Sequence, residues 1–132
     1  VKALRVPADH VAPVKEFLVA QLAGDPSGAS AGQNLPDGWG PSSAPAVVVE
    51  SDPGSVDEWP VYTGEQIRIT VYAAGRTQAR ALAARCMGWL LALRVPGVGI
   101  RPGTGILVDR DPDTRGFIAG FTVRSRARTQ SF

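Results

Sequence analysis

Between Gln66 and Leu93 the apolar spacing of this chain changes period within a few residues. Gln66-Ile67-Arg68-Ile69-Thr70-Val71-Tyr72 alternates cleanly, which puts Ile67, Ile69 and Val71 on one face of a strand. From residue 76 the apolar positions become Ala79, Leu82, Ala83, Cys86, Leu90 and Leu93, a helical spacing that Pro96-Gly97 stops. A half-buried strand feeding directly into an amphipathic helix predicts a sheet with a helix laid on it. Ala84, Gly88 and Ala92 form a second, small-residue face on that helix, expected to pack on the chain's first helix, with a subunit contact as the alternative.

The flanking segments extend this pattern. Residues 9–23 read as a short helix: Asp9 can cap its start, Pro13 sits in the first turn, and Val14, Phe17, Leu18 and Leu22 share one face. Ala46-Val47-Val48-Val49 is a β-branched run suited to a buried strand, pairing with 66–72 as a long-looped hairpin. Two further strands are expected at about 104–110 and 116–127, joined by Asp111-Pro112-Asp113-Thr114-Arg115. In the last strand Phe117, Ala119, Phe121 and Val123 point one way, and Ile118, Gly120, Thr122, Arg124, Arg126 and Arg128 the other. The order α-β-β-α-β-β predicts an α+β fold, a mostly antiparallel sheet with both helices on one face. Residues 24–44 and 52–64, rich in Gly, Pro, Ser and Asp, are expected to be long loops, the first held down by Trp39 or Leu35.

With 132 residues, 44% hydrophobic and 20% charged, the chain has the size and composition of one soluble domain spanning 1–132. Its longest apolar stretch, Met87–Leu93, is far short of the roughly 20 residues that cross a bilayer, and no basic-then-apolar leader marks secretion. One cysteine excludes an internal disulfide. The charge is uneven. Residues 1–66 hold three bases and nine acids, whereas residues 67–132 hold eleven arginines and only Asp109, Asp111 and Asp113. Such polarity suits contact between different patches of identical copies.

Each motif that resembles a chemical site lacks a required part. Asp109-x-Asp111-x-Asp113 has the opening of a calcium loop, but Thr114 stands where glycine is required and Gly120 where the bidentate glutamate belongs. Gly97-x-Gly99 and Gly103-x-Gly105 follow a helix and lead into a strand, the reverse of a phosphate-cradling loop. His10 is the sole histidine and Cys86 lies on an apolar stripe, so no nucleophile–base pair, metal cluster or cofactor site is expected, and the chain reads as a non-enzyme. Arg115-Gly116-Phe117 begins like an RNA-recognition signature and departs from it at Ile118, Ala119 and Gly120.

The opening helix, the strand Gly64-Glu65-Gln66-Ile67-Arg68-Ile69-Thr70-Val71-Tyr72-Ala73, the helix Arg76–Leu93 and the closing Phe121-Thr122-Val123-Arg124-Ser125-Arg126-Ala127-Arg128-Thr129 together resemble the tail terminator (tail-completion) proteins of long-tailed bacteriophages, over about residues 9–129. The resemblance implies a virion protein, assembled in the bacterial cytoplasm. It would form a ring, commonly a hexamer, that ends tail-tube polymerisation and joins the tube to the head's neck proteins, with DNA passing through unread. Another neck connector or stopper, and a small nucleic-acid-binding module using Arg124, Arg126 and Arg128, are the alternative readings. The expected interface is the acidic segment with Glu50, Asp52, Asp57, Glu58 and the anchor Trp59, meeting Arg124, Arg126 and Arg128 of the next copy.

Overall fold

The computed structural model describes residues 3–132, in the order β1 (Arg5–Val6), α1 (Val11–Leu22), β2 (Ser30–Gly32), β3 (Ala46–Ser55), β4 (Tyr62–Ala73), α2 (Arg76–Ala92), β5 (Gly99–Pro102), β6 (Leu107–Arg110), β7 (Phe117–Arg128) and β8 (Gln130–Ser131). The larger sheet runs β2-β3-β4-β7-β5, with β6 also on β7; every pairing is antiparallel except β2 with β3. The fold is α+β, with the helices packed against the sheet. Its spine is the β4–β7 ladder, in register from Tyr62↔Arg128 to Ala73↔Phe117.

The two periods determine the core. Ile67, Ile69 and Val71 of β4 meet Ala119, Phe121 and Val123 of β7 on one face, joined by Val47 and Val49 of β3. On that face lie Val14, Phe17, Leu18 and Leu22 of α1, and Ala79, Leu82, Ala83, Cys86 and Leu90 of α2, all buried. The Asp9 carboxylate accepts from the N–H of Val11 at 2.9 Å and of Ala12 at 3.3 Å, satisfying two donors of the first turn. The small-residue face of α2 does not pack on α1: Ala84, Gly88 and Ala92 are exposed, and nothing approaches within 4 Å of where a Gly88 Cβ would stand.

Three expected boundaries move. The segment 24–44 is not all loop, since β2 forms within it, pairing Ser30↔Ala46 to Gly32↔Val48. Trp39 does hold the rest down: its Nε1–H donates to the Ala44 carbonyl at 2.8 Å and its ring meets Tyr72 edge-on at 5.7 Å. The segment 52–64 is mostly strand, the turn shrinking to 56–61. Pro53-Gly54 disguises it, because the register shifts by a bulge between Asp52 and Ser55, where the outer edge needs no proline N–H. Gly54 is required there, as a Cβ would collide with the Gly64 carbonyl. The expected strand at 104–110 shortens to β6, and an unexpected strand, β5, precedes it in the glycine-rich stretch; the two are separated where the backbone crowds Thr122, since a Cβ on Gly103 would clash with it and the Thr122 hydroxyl accepts from the Thr104 N–H at 2.9 Å.

Candidate interaction surface

Strand alternation sends Gly64, Gln66 and Arg68 of β4 and Arg124, Arg126 and Arg128 of β7 away from the helices. Register arranges them in rows: Tyr62–Arg128, then Ser55–Gly64–Arg126–Gly99, then Asp52–Gln66–Arg124–Arg101, then Glu50–Arg68–Thr122. Arg126 is flanked by two glycines, so the sheet is low on either side of it. The resulting groove, about 660 Å³, is walled by the β3–β4 turn on one side and by β5 on the other.

Within the chain the structure brings together part of the expected interface set. Glu58 reaches across Gly64 to Arg126, with Oε2 to Nη2 at 2.5 Å, and the Arg126 guanidinium lies 3.7 Å from the Tyr62 ring centroid. Arg68 pairs with Asp52 at 2.9 Å. The acidic segment and the arginine strand thus meet at Glu58–Arg126 inside one chain, whereas the sequence reading placed that meeting between copies. Both pairs are exposed, so each contributes about 0–1 kcal/mol. Arg124, Arg128 and Arg101 form no ion pair among the described residues, and Arg124 stands directly across from Arg101. Like charges opposite one another on a sheet are unfavourable until an anion joins them. Glu50 and Asp57 are exposed and unpaired among the described residues. Trp59 sits on the turn at 44% exposure between Val56 at 62% and Val61 at 49%, an apolar tip beside two carboxylates.

The helix side of the same strands holds a polar cluster that the sequence reading passed over. His10 is 1% exposed, with Nδ1 2.7 Å from Ser125 Oγ and Nε2 3.0 Å from Thr63 Oγ1. Ser125 donates to the Glu65 carbonyl at 3.0 Å, which leaves its oxygen to accept from Nδ1–H, while Nε2 faces the Thr63 hydroxyl. Burial holds the His10 pKa below the ordinary value, while the Glu65 carboxylate, 3.5 Å from Nε2, and then Asp9 pull the other way. Ser125 is buried and its proton is committed to a carbonyl, so the cluster ties the start of α1 to the β4–β7 ladder and presents no nucleophile. The available signal was parity: Thr63, Glu65 and Ser125 fall on core-facing positions, where a polar side chain needs a partner.

Other candidates resolve locally. Burial pushes the Cys86 thiol up to about 12, which leaves it unreactive. Asp111 spends its carboxylate on its own turn, accepting from the Asp113 N–H at 3.1 Å and the Thr114 hydroxyl at 2.8 Å, while Arg115 turns the chain at φ 65°. No group of three His, Cys, Asp or Glu side chains among the described residues is arranged to hold a metal, and no helix there is long and apolar enough to cross a membrane. No family model matches the chain, and no curated protein matches it.

Proposed function

We propose that this chain is a structural virion protein that forms a ring, commonly a hexamer, at the head-proximal end of a phage tail tube. The ring ends tube polymerisation and bridges the tube to a neck protein while DNA passes through its centre. The reading begins from the sequence resemblance. The observation that carries it further is the β3–β4 hairpin, whose exposed tip joins Val56, Trp59 and Val61 to Asp57 and Glu58 beside a sheet face carrying unpaired Arg101, Arg124 and Arg128. Aromatic and apolar anchors ringed by charge are the composition of a protein–protein contact. Different patches on one chain favour head-to-tail assembly, which gives a ring when the rotation between copies closes.

Mass photometry and negative-stain images of the purified protein, alone and with tail tube protein, test the reading. Rings with a central hole that cap tube ends are expected. A chain that stays monomeric at tens of micromolar and leaves tube growth unchanged would overturn it.

The Arg101–Arg124 pair supports a second reading, a nucleic-acid-binding module, because phosphate contacts require only exposed positive charge. That reading expects DNA retardation that falls steeply with salt. Absence of retardation at low salt removes it.

A further inference from the structure

The hairpin tip has a counterpart on the same chain. At the end of α2, Leu91 is 40% exposed and Leu93 47%, on a helix whose other long apolar side chains face the core. The helix stops at Ala92, Leu93 turns extended, and exposed Arg94 follows before Val95 returns to the interior. Next to them β5 begins only at Gly99, opposite Arg126, so Ala127 and Arg128 of β7 have no strand beyond them on that side. The space left by the missing strand is a groove of about 400 Å³, lined by Leu91, Leu93, Arg94, Val98, Ala127 and Arg128 among others. Its exposed Leu91 and Leu93, with Arg94 and Arg128, neither of them ion-paired among the described residues, mirror the tip's Val56, Trp59 and Val61 with Asp57; the third arginine of the lining, Arg126, is held by Glu58.

We infer that the β3–β4 tip of one copy docks in the α2–β7 corner groove of a second copy. This deepens the ring reading and rests on it. The tip follows Ser55 and precedes Tyr62, while the groove lies at Gly99 and Arg128, so both patches stand at the same end of the strands. They are neighbours at that end: Tyr62, next to the tip, and Arg126, the partner of Glu58, also line the groove, and the Val61 carbonyl accepts from the Thr129 N–H at 2.9 Å. Copies turned about an axis running along the strands keep tip and groove at one level, so each tip meets the next groove. Trp59 is the apolar anchor. Asp57 lies among the unpaired Arg94 and Arg128 of the neighbour and sets the direction of the contact.

The test uses two variants of the full chain, Trp59→Ala for the tip and the double substitution Leu91→Asp, Leu93→Asp for the groove. All three side chains are exposed, and circular dichroism with thermal melting checks that each variant folds. Sedimentation velocity should find each variant alone monomeric, with self-association weakened by about 30-fold or more, the loss expected of a buried aromatic anchor. An equimolar mixture should form heterodimers and nothing larger, since a single intact tip and a single intact groove remain to meet. Asp57→Lys should also weaken assembly, and adding Arg94→Glu and Arg128→Glu to the same chain should restore it. Folded variants that assemble like the parent, or a mixture that stays monomeric, would overturn the docking while leaving parent rings, and the ring reading, intact. A parent chain that is monomeric throughout overturns both. Rings unchanged by the variants but no longer able to cap tubes would assign the tip to the tube protein and overturn the contact between copies.

Discussion

The two ends of the β4–β7 ladder are built for different purposes. From Ile67↔Val123 to Ala73↔Phe117 the ladder is covered on its helix face, and from Thr70↔Gly120 onward it is partly covered on the other. Helices bury Ile67, Ile69, Val71, Ala119, Phe121 and Val123 on one side; on the other, Trp39 closes on Tyr72 while Ala46 and Val48 are buried. From Tyr62↔Arg128 to Gln66↔Arg124 the same two strands turn polar on both faces, with His10, Thr63 and Ser125 on the helix side and an exposed arginine row on the other. Apolar burial stabilises at roughly 25 cal/mol per Å², whereas exposed ion pairs contribute about 0–1 kcal/mol. One end therefore holds the fold, and the other is free to spend its side chains on partners.

The covered end should fail first when it is hollowed. Phe121→Ala removes a buried ring at the centre of the ladder and is expected to cost about 3–5 kcal/mol, read from urea unfolding. A loss below about 1 kcal/mol would mean that the ladder's two ends do not differ in the way described.

The junction of the two ends is the His10 cluster, and its effect should be intermediate and dependent on pH. His10→Ala leaves the Thr63 and Ser125 hydroxyls short of a buried partner, a loss of about 1–3 kcal/mol at neutral pH. Because burial lowers the folded-state pKa below the ordinary 6.5, the unfolded chain binds more protons in the window between the two values. Stability should be flat above that window, fall as pH drops through it, and level off below the folded pKa. Urea titrations across pH check this against His10→Ala. An equal slope in parent and variant would remove His10 as its source.

Legibility in the sequence divides along the same line. Both helices, the β3–β4 pairing and the facing of Phe117 through Arg128 were readable because apolar period alone determines them. β2 was not, since three residues of Ser-Ala-Gly owe their strand state to a neighbouring backbone and carry no pattern of their own. The hairpin arm was misread because Pro53 and Gly54 signal a turn, while a bulge accommodates both inside a strand. Of the expected interface residues, spacing placed Arg124, Arg126 and Arg128 on one exposed face, but Glu58–Arg126 depends on Gly64 leaving room between them, a cross-strand fact. The exposed Leu93 was hidden by its fit to the helical stripe, which runs one residue past the end of α2, while Leu91 lies off that stripe.

Trp59 separates folding from contact most directly. At 44% exposure on the turn, its removal should shift the melting temperature by no more than a degree or two, since surface substitutions usually fall within about 0.5 kcal/mol. A drop comparable with Phe121→Ala would place it in the core and erase the distinction between the ends.

The smallest expected effect is the coupling between Glu58 and Arg126, and it sharpens the comparison most. Both side chains are about half exposed, so their attraction is diluted by water and offset by the entropy of holding two long side chains together. Stacking of Arg126 on Tyr62 holds the guanidinium in place whether or not Glu58 is there, adding about 0.5–1 kcal/mol of its own. A double-mutant cycle with Glu58→Ala and Arg126→Ala should therefore give a coupling of about 1 kcal/mol or less, shrinking as salt rises. Arg126→Ala alone should cost more than Glu58→Ala, because it loses the ring contact as well as the pair. Equal single losses would show that the ring contributes nothing. A coupling above about 2 kcal/mol would show the tip locked to its own sheet, and a locked tip would have to break that pair before meeting any partner that needs Glu58.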